Sequence, residues 1–227
     1  ATAGPALVRS AVAGLPPEGM PMTQRDALKA RNWLMRNYGD SITRAAASLP
    51  PMDADLVCAI ACKETAPIWV SWTDRGMPAD TLLARCVFDA SGDAPGTSRG
   101  APPRNTADFR TRVGDALTDD LINEANETRR LRGYSPAAWV YKGYGVFQYD
   151  LQHYFGGDTE FFAQKQWRSM DACLDRLLKE MKTKLAAANG DLADAVRRYN
   201  GSGPRAEEYS KHVMQFYAWL QATPYTG

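Results

Sequence analysis

The chain has 227 residues, with 27 Lys and Arg against 26 Asp and Glu, four cysteines and two histidines, a length that buries about 70% of its unfolded surface without disulfide or metal staples. A net charge of +1 offers phosphate no general attraction, which argues against a nucleic-acid binder, and no run of about 18 apolar residues is present to insert into a membrane. With 44% hydrophobic and 23% charged residues the composition is that of a globular protein; His153 and His212 are too widely separated for a metal site or a His-based triad, so carboxylates are the candidates for chemistry.

Residues 1–21, rich in Ala, Gly and Pro, read as an N-terminal arm lying over the surface or partly disordered. The start at Ala1 lacks a charged and apolar leader, so either a signal peptide has already been removed or the start is artificial. Thr23 caps a helix through about Tyr38, with Ala27, Leu28, Trp33, Leu34 and Tyr38 in helical spacing. A shorter helix from Asp40 to about Leu49 is stopped by Pro50-Pro51.

Asp53 is the N-cap of a third helix, DADLVCAIACKETA, which Pro67 ends near Thr65. This helix is apolar on nearly all sides and so belongs in the middle of the fold. A short helix fits Pro78 to Phe88, followed by a loop of 17 residues over 89–105, rich in Gly, Pro, Ser and Asp; loops of that length inside a domain are usually functional or disordered. Helical patterns resume at about 105–113 and 118–132. An aromatic and glycine-rich stretch spans 133–155, and helices are expected at about 167–188, 191–199 and 204–222. No repeat or composition shift marks a linker, so residues 22–227 read as a single, mainly helical domain with at most a small β element. Cys58, Cys62, Cys86 and Cys173 form no CxxC pair; they are buried small hydrophobes or include one disulfide to Cys86 or Cys173.

Glu64 is the most informative residue. It lies in the last turn of the apolar helix, facing the negative end of the helix dipole and adjoining Trp69, Val70 and Trp72, all of which favour its protonated form. A carboxylic acid kept protonated near neutral pH is what general-acid cleavage of a glycosidic bond requires. The plainer alternative is a surface glutamate paired with Lys63 or Arg75. Two further segments bear on the choice. In Gly143-Tyr144-Gly145-Val146-Phe147-Gln148 the glycines allow close approach and the aromatics offer stacking faces. Ala195-Val196-Arg197-Arg198-Tyr199-Asn200-Gly201 ends a helix, where Asn-Gly is also ordinary capping chemistry.

Taken in order, the helix ending in Lys63-Glu64-Thr65, the G-x-G-x-x-Q segment about 80 residues later and the A-x-x-x-Y-N-G helix end resemble the lysozyme-like superfamily, in particular goose-type lysozymes and lytic transglycosylases. The resemblance spans about residues 53–222 and implies an α+β lysozyme-like fold built around the buried helix. It also implies cleavage of the β-1,4 bond between N-acetylmuramic acid and N-acetylglucosamine in peptidoglycan. Glu64 matches the family's catalytic acid; Gly145 and Gln148 match the wall of the sugar cleft; Tyr199 and Asn200 match the aromatic and amide that approach acid and substrate. Thr65 stands where the family has Ser, and the 89–105 loop has no counterpart.

A hydrolase needs a second carboxylate to activate water, whereas a transglycosylase uses the substrate's own hydroxyl. Asp93 ranks first for that base, then Asp89 and Asp74, with Asp150 as a segment cap; turn chemistry is the alternative for Asp89 and Asp93. Among the aromatics, Trp72 and Tyr144 are the choices for stacking on sugar. Arg129-Arg130-Leu131-Arg132 reads as a solvated helix end, and Thr97, Ser98 and Arg99 as a possible docking edge for anionic wall groups. The reading is therefore a secreted or periplasmic, monomeric muramidase acting on glycan strands, with no metal or organic cofactor. A lytic transglycosylase, a chitin-cleaving relative and a non-catalytic peptidoglycan-binding module are the alternatives.

Overall fold

The computed structural model describes residues 15–227; the greater part of the expected N-terminal arm lies outside the described residues. The protein is mainly helical with one small sheet, and it divides into two compact units. The first comprises the described residues up to Met77 together with Leu174–Gly227; the second comprises Pro78–Cys173. The sequence marks this division with no shift in composition.

The first unit opens with α1 (Gln24–Ala47), whose N-terminus is capped by the Thr23 hydroxyl accepting from the Asp26 amide at 3.2 Å. The two helices expected here form one element broken at Tyr38, where φ is −138° and ψ 19°. Asn37, Tyr38 and Gly39 are consecutive weak helix formers, and the helix resumes beyond them.

Helix α2 (Ala54–Glu64) starts where the Asp53 carboxylate accepts from the Leu56 amide at 2.9 Å. All seven residues from Leu56 to Cys62 have no exposed surface, because α2 packs against α1, the following helix α3 (Ala66–Asp74) and the C-terminal helix. Full burial of each Leu, Val or Ile side chain contributes about 1.5–3 kcal/mol, which makes α2 the axis of this unit. Helix α3 is a correction to the sequence reading: Pro67 ends α2 but also sits in the first turn of α3, where a missing N–H costs nothing.

The second unit holds α4 (Ala79–Ala84), β1 (Val87–Phe88), α5 (Thr106–Val113), α6 (Asp115–Leu131), β2 (Gly143–Tyr144), β3 (Tyr149–Asp150) and α7 (Glu160–Ala163). The helix expected up to Phe88 stops at Ala84, and Val87-Phe88 becomes a strand antiparallel to β2, with Val87 opposite Tyr144. β2 and β3 form a hairpin with Gly143 opposite Asp150. The unit's main polar anchor is Glu124 on α6, which receives Arg85 and Arg168 and lies 3.1 Å from the Lys165 ammonium.

Three further helices complete the chain: α8 (Met170–Ala187), within which the unit boundary falls, α9 (Leu192–Asn200) and α10 (Pro204–Ala222). The Ser210 hydroxyl donates to the Ala193 carbonyl at 2.7 Å, tying α10 to α9. All four cysteines are buried thiols, which agrees with their reading as small core residues and not with a disulfide.

Candidate active site

The first unit carries Glu64. Because α2 is enclosed from Leu56 to Cys62, its last turn is firmly placed, and the chain turns at once through Thr65 (φ −136°, ψ −26°) into α3. Thr65 is buried, and its hydroxyl accepts from the Trp69 indole at 2.8 Å. Glu64 itself is partly buried. The Tyr209 hydroxyl on α10 donates to Glu64 Oε2 at 3.0 Å, and the Tyr199 ring at the end of α9 lies 6.3 Å from the Tyr209 ring. Burial, then the Glu64 charge and then Tyr199 push the Tyr209 hydroxyl's acidity well above the ordinary tyrosine value. Tyr209 is therefore a permanent donor to the carboxylate.

Neighbouring Lys63 is partly buried, and its ammonium lies 2.7 Å from His212 Nδ1. Partial burial lowers its pKa, against the opposing pull of Glu208 and Glu64. Asn200 is the last, exposed residue of α9, followed by Gly201 at φ 133°. Trp72, expected to stack on sugar, is 3% exposed in the core of the first unit; its ring fills the interior and offers no open face. Asp74 pairs with Lys29 at the end of α3.

The second unit explains the G-x-G-x-x-Q pattern. Gly145 adopts φ 87° and its amide donates to the Cys86 carbonyl at 2.8 Å. A Cβ at Gly145 would lie 2.7 Å from the Cys173 sulfur, and one at Gly143 would lie 2.1 Å from Gln148 Oε1. Gln148 folds its side chain back over the hairpin, donating to the Gly145 carbonyl at 3.0 Å and the Cys86 carbonyl at 3.3 Å. The two glycines thus make room for the hairpin's own glutamine and for a cysteine. Tyr144 is a second correction: it has no exposed surface, and its ring packs edge-on against Phe162 and Trp167 at 5.2 and 4.9 Å. Among the described residues its buried hydroxyl has no hydrogen-bond partner.

The loop aspartates are also built into the architecture. Asp93 accepts from the Thr106 amide at 3.0 Å, the Thr106 hydroxyl at 2.8 Å and the Lys142 ammonium. Lys142 has 0% of its side chain exposed and Asp93 11%. Burial lowers the Lys142 pKa, opposed by its hydrogen bond with Asp93 and that carboxylate's charge. Asp89, at φ 80°, closes a turn by accepting from the Ser91 amide at 2.9 Å. Asp150 caps the turn after β3 and pairs with Arg99.

Arg99 is a staple of the loop, donating to the Pro103 carbonyl at 2.9 Å, and the Thr97 hydroxyl closes a turn on the Gly92 amide at 3.1 Å. The docking edge assigned to these residues is therefore spent on internal bonds. All four carboxylates considered as a base already hold cations or amides.

Tyr209 is the site residue that sequence reasoning missed. A groove of ≈ 560 Å³ along α1, lined by Gln24, Arg25, Leu28, Lys29, Asn32 and Arg36, contains none of the expected site residues. Among the described residues no cluster of His, Cys, Asp and Glu is placed to hold a metal ion, and no helix is long and apolar enough to cross a membrane. Comparisons of the chain with protein-family models, with curated proteins and with solved structures find no match.

Proposed function

We propose that the protein cleaves peptidoglycan glycan strands at the β-1,4 bond between N-acetylmuramic acid and N-acetylglucosamine, with Glu64 as the general acid. The observation that carries this reading is the setting of Glu64, at the partly buried end of a helix whose middle seven residues are enclosed, with its carboxylate accepting from a buried tyrosine hydroxyl. Such a carboxylate keeps one geometry while a proton moves on and off it. Glu64 delivers its proton to the glycosidic oxygen as the C–O bond breaks, and positive charge develops at the sugar's anomeric carbon. Tyr209, and through the family resemblance Tyr199 and Asn200, hold the acid and the departing sugar.

Two fates remain for the anomeric carbon. In hydrolysis, a water activated by a second carboxylate attacks. In transglycosylation, the muramyl 6-hydroxyl attacks, returns its proton to Glu64 and leaves a 1,6-anhydro ring. The engagement of Asp93 by Thr106 and Lys142, with Asp89, Asp150 and Asp74 similarly occupied, favours the second route, which needs no further base.

Digestion of purified peptidoglycan by wild type and by Glu64→Gln, read by mass spectrometry, tests both levels. Anhydro products from wild type alone support the transglycosylase route, and reducing-end products support the muramidase. Release of neither overturns the proposal, in favour of a chitin-cleaving enzyme or a binding module.

A further inference from the structure

The C-terminus of α6 is closed by a Schellman turn. The Gly133 amide donates to the Arg130 carbonyl at 3.0 Å and the Tyr134 amide to the Arg129 carbonyl at 2.8 Å, with Gly133 at φ 80°. The turn folds Tyr134 back onto its own helix, where it remains 50% exposed. Its ring is shared by two guanidinium groups, Arg129 at 5.6 Å and Arg132 at 5.1 Å. Arg129 also lies 5.1 Å from the Trp139 ring, and Arg132 lies 5.5 Å from Phe88.

Cation–π stacking fixes these side chains but does not neutralise them. Arg129 donates only to neutral oxygens, the Ser135 carbonyl at 2.7 Å and the Tyr141 hydroxyl at 3.1 Å. Among the described residues the Arg132 guanidinium donates to no acceptor, and no carboxylate pairs with Arg129, Arg130 or Arg132. The acids of the same helix are drawn elsewhere, Glu124 and Glu127 both to Arg85. A Schellman turn alone explains where Tyr134 sits. It does not explain three uncompensated arginines, two of them held within 5.6 Å of one half-exposed ring.

We propose that Arg129, Arg132 and Tyr134 form a docking surface for the free carboxylates of peptidoglycan stem peptides. The identity of this ligand as a wall peptide rests on the function proposed above. A guanidinium presents paired donors that match a carboxylate, and the adjoining tyrosine ring offers an apolar face to the small side chains such peptides carry. The chain's net charge of +1 disfavours the rival polyanion, nucleic acid.

The test uses the Glu64→Gln chain and two probes: the peptide L-Ala-γ-D-Glu-L-Lys with free carboxylates, and the same peptide amidated at its carboxyls. Binding is followed through the Arg Nε–H signals by NMR. The free acid shifts the Arg129 and Arg132 signals to saturation, and the amide does not. Arg132→Gln, which removes no internal hydrogen bond, weakens binding by about tenfold. Arg25→Gln, on a different unit, leaves it unchanged.

Equal shifts with acid and amide, or undiminished affinity in Arg132→Gln, overturn the proposal. So does tighter saturation by a short single-stranded DNA. Glycan cleavage is not read in this assay. Failed peptide binding therefore leaves the role of Glu64 standing, and intact peptide binding beside absent cleavage rejects only that role.

Discussion

The Tyr209 hydroxyl and Glu64 Oε2 are joined across 3.0 Å although 145 positions separate them in the chain. Tyr209 is 4% exposed and its acidity is suppressed by burial and by the Glu64 charge, so it donates throughout any usable pH range. Tyr209→Phe keeps the ring and loses only the donor. We expect kcat on peptidoglycan to fall by about tenfold, with KM changed less than about twofold and the thermal midpoint nearly preserved. A loss confined to KM would reject the positioning role.

Asp93→Asn separates a catalytic base from a loop clamp. The buried Lys142 ammonium would face a neutral amide, and breaking such a pair costs about 3 kcal/mol. The expected variant is markedly less stable to urea, while its folded fraction cleaves at the wild-type rate. Full stability combined with lost activity would restore Asp93 as the base of a hydrolase.

Glu124 provides a pH signature. Burial alone would raise its pKa, but hydrogen bonds from Arg85 and Lys165, followed by the charges of Arg85 and Arg168, hold it below its ordinary value of 4.5. A carboxylate depressed on folding contributes stability above its unfolded pKa, and that contribution is lost as pH falls through the folded value. Glu124→Gln should therefore lose about 3 kcal/mol near neutrality, and the gap to wild type should close as urea titrations move below pH 4.5. A gap independent of pH would show that packing, not charge, is what the substitution removes.

Tyr144→Phe is the inverse case. Its hydroxyl is buried without a partner among the described residues, so removing the oxygen relieves a desolvation cost. Stability should hold or rise by up to about 1 kcal/mol, and glycan binding should not change. Weakened binding would reinstate Tyr144 as a sugar contact.

Legibility followed the range of each interaction. The start of α2 could be read from Asp53 because its cap bond spans only three residues, to Leu56. Pro67 was misread because one proline both stops a helix and opens the next; its missing N–H serves either purpose. The spacing of Gly143, Gly145 and Gln148 was visible, but its reason was not: Gln148 fills the space over Gly143 only once the hairpin has closed. Asp93 resembled a loop aspartate free for chemistry because its partner Lys142 is 49 residues away. Tyr209 shares a helical stripe with Ala206 and Val213, a pattern that reads as core; nothing local distinguishes a core tyrosine from one aimed at a carboxylate.

The thiols offer a pair of clocks. Cys58 and Cys62 lie in the first unit, Cys86 and Cys173 in the second, and all four are buried. Burial raises the pKa of Cys58, Cys62 and Cys86 far above that of a free thiol, which silences the reactive thiolate while the surrounding helices stay closed. An alkylating reagent therefore marks each half of the chain only when that half opens, and mass mapping of the tagged peptides would time the two openings separately. Equal rates at Cys58 and Cys86 would mean that the two units open in one cooperative step; unequal rates would show which unit opens first.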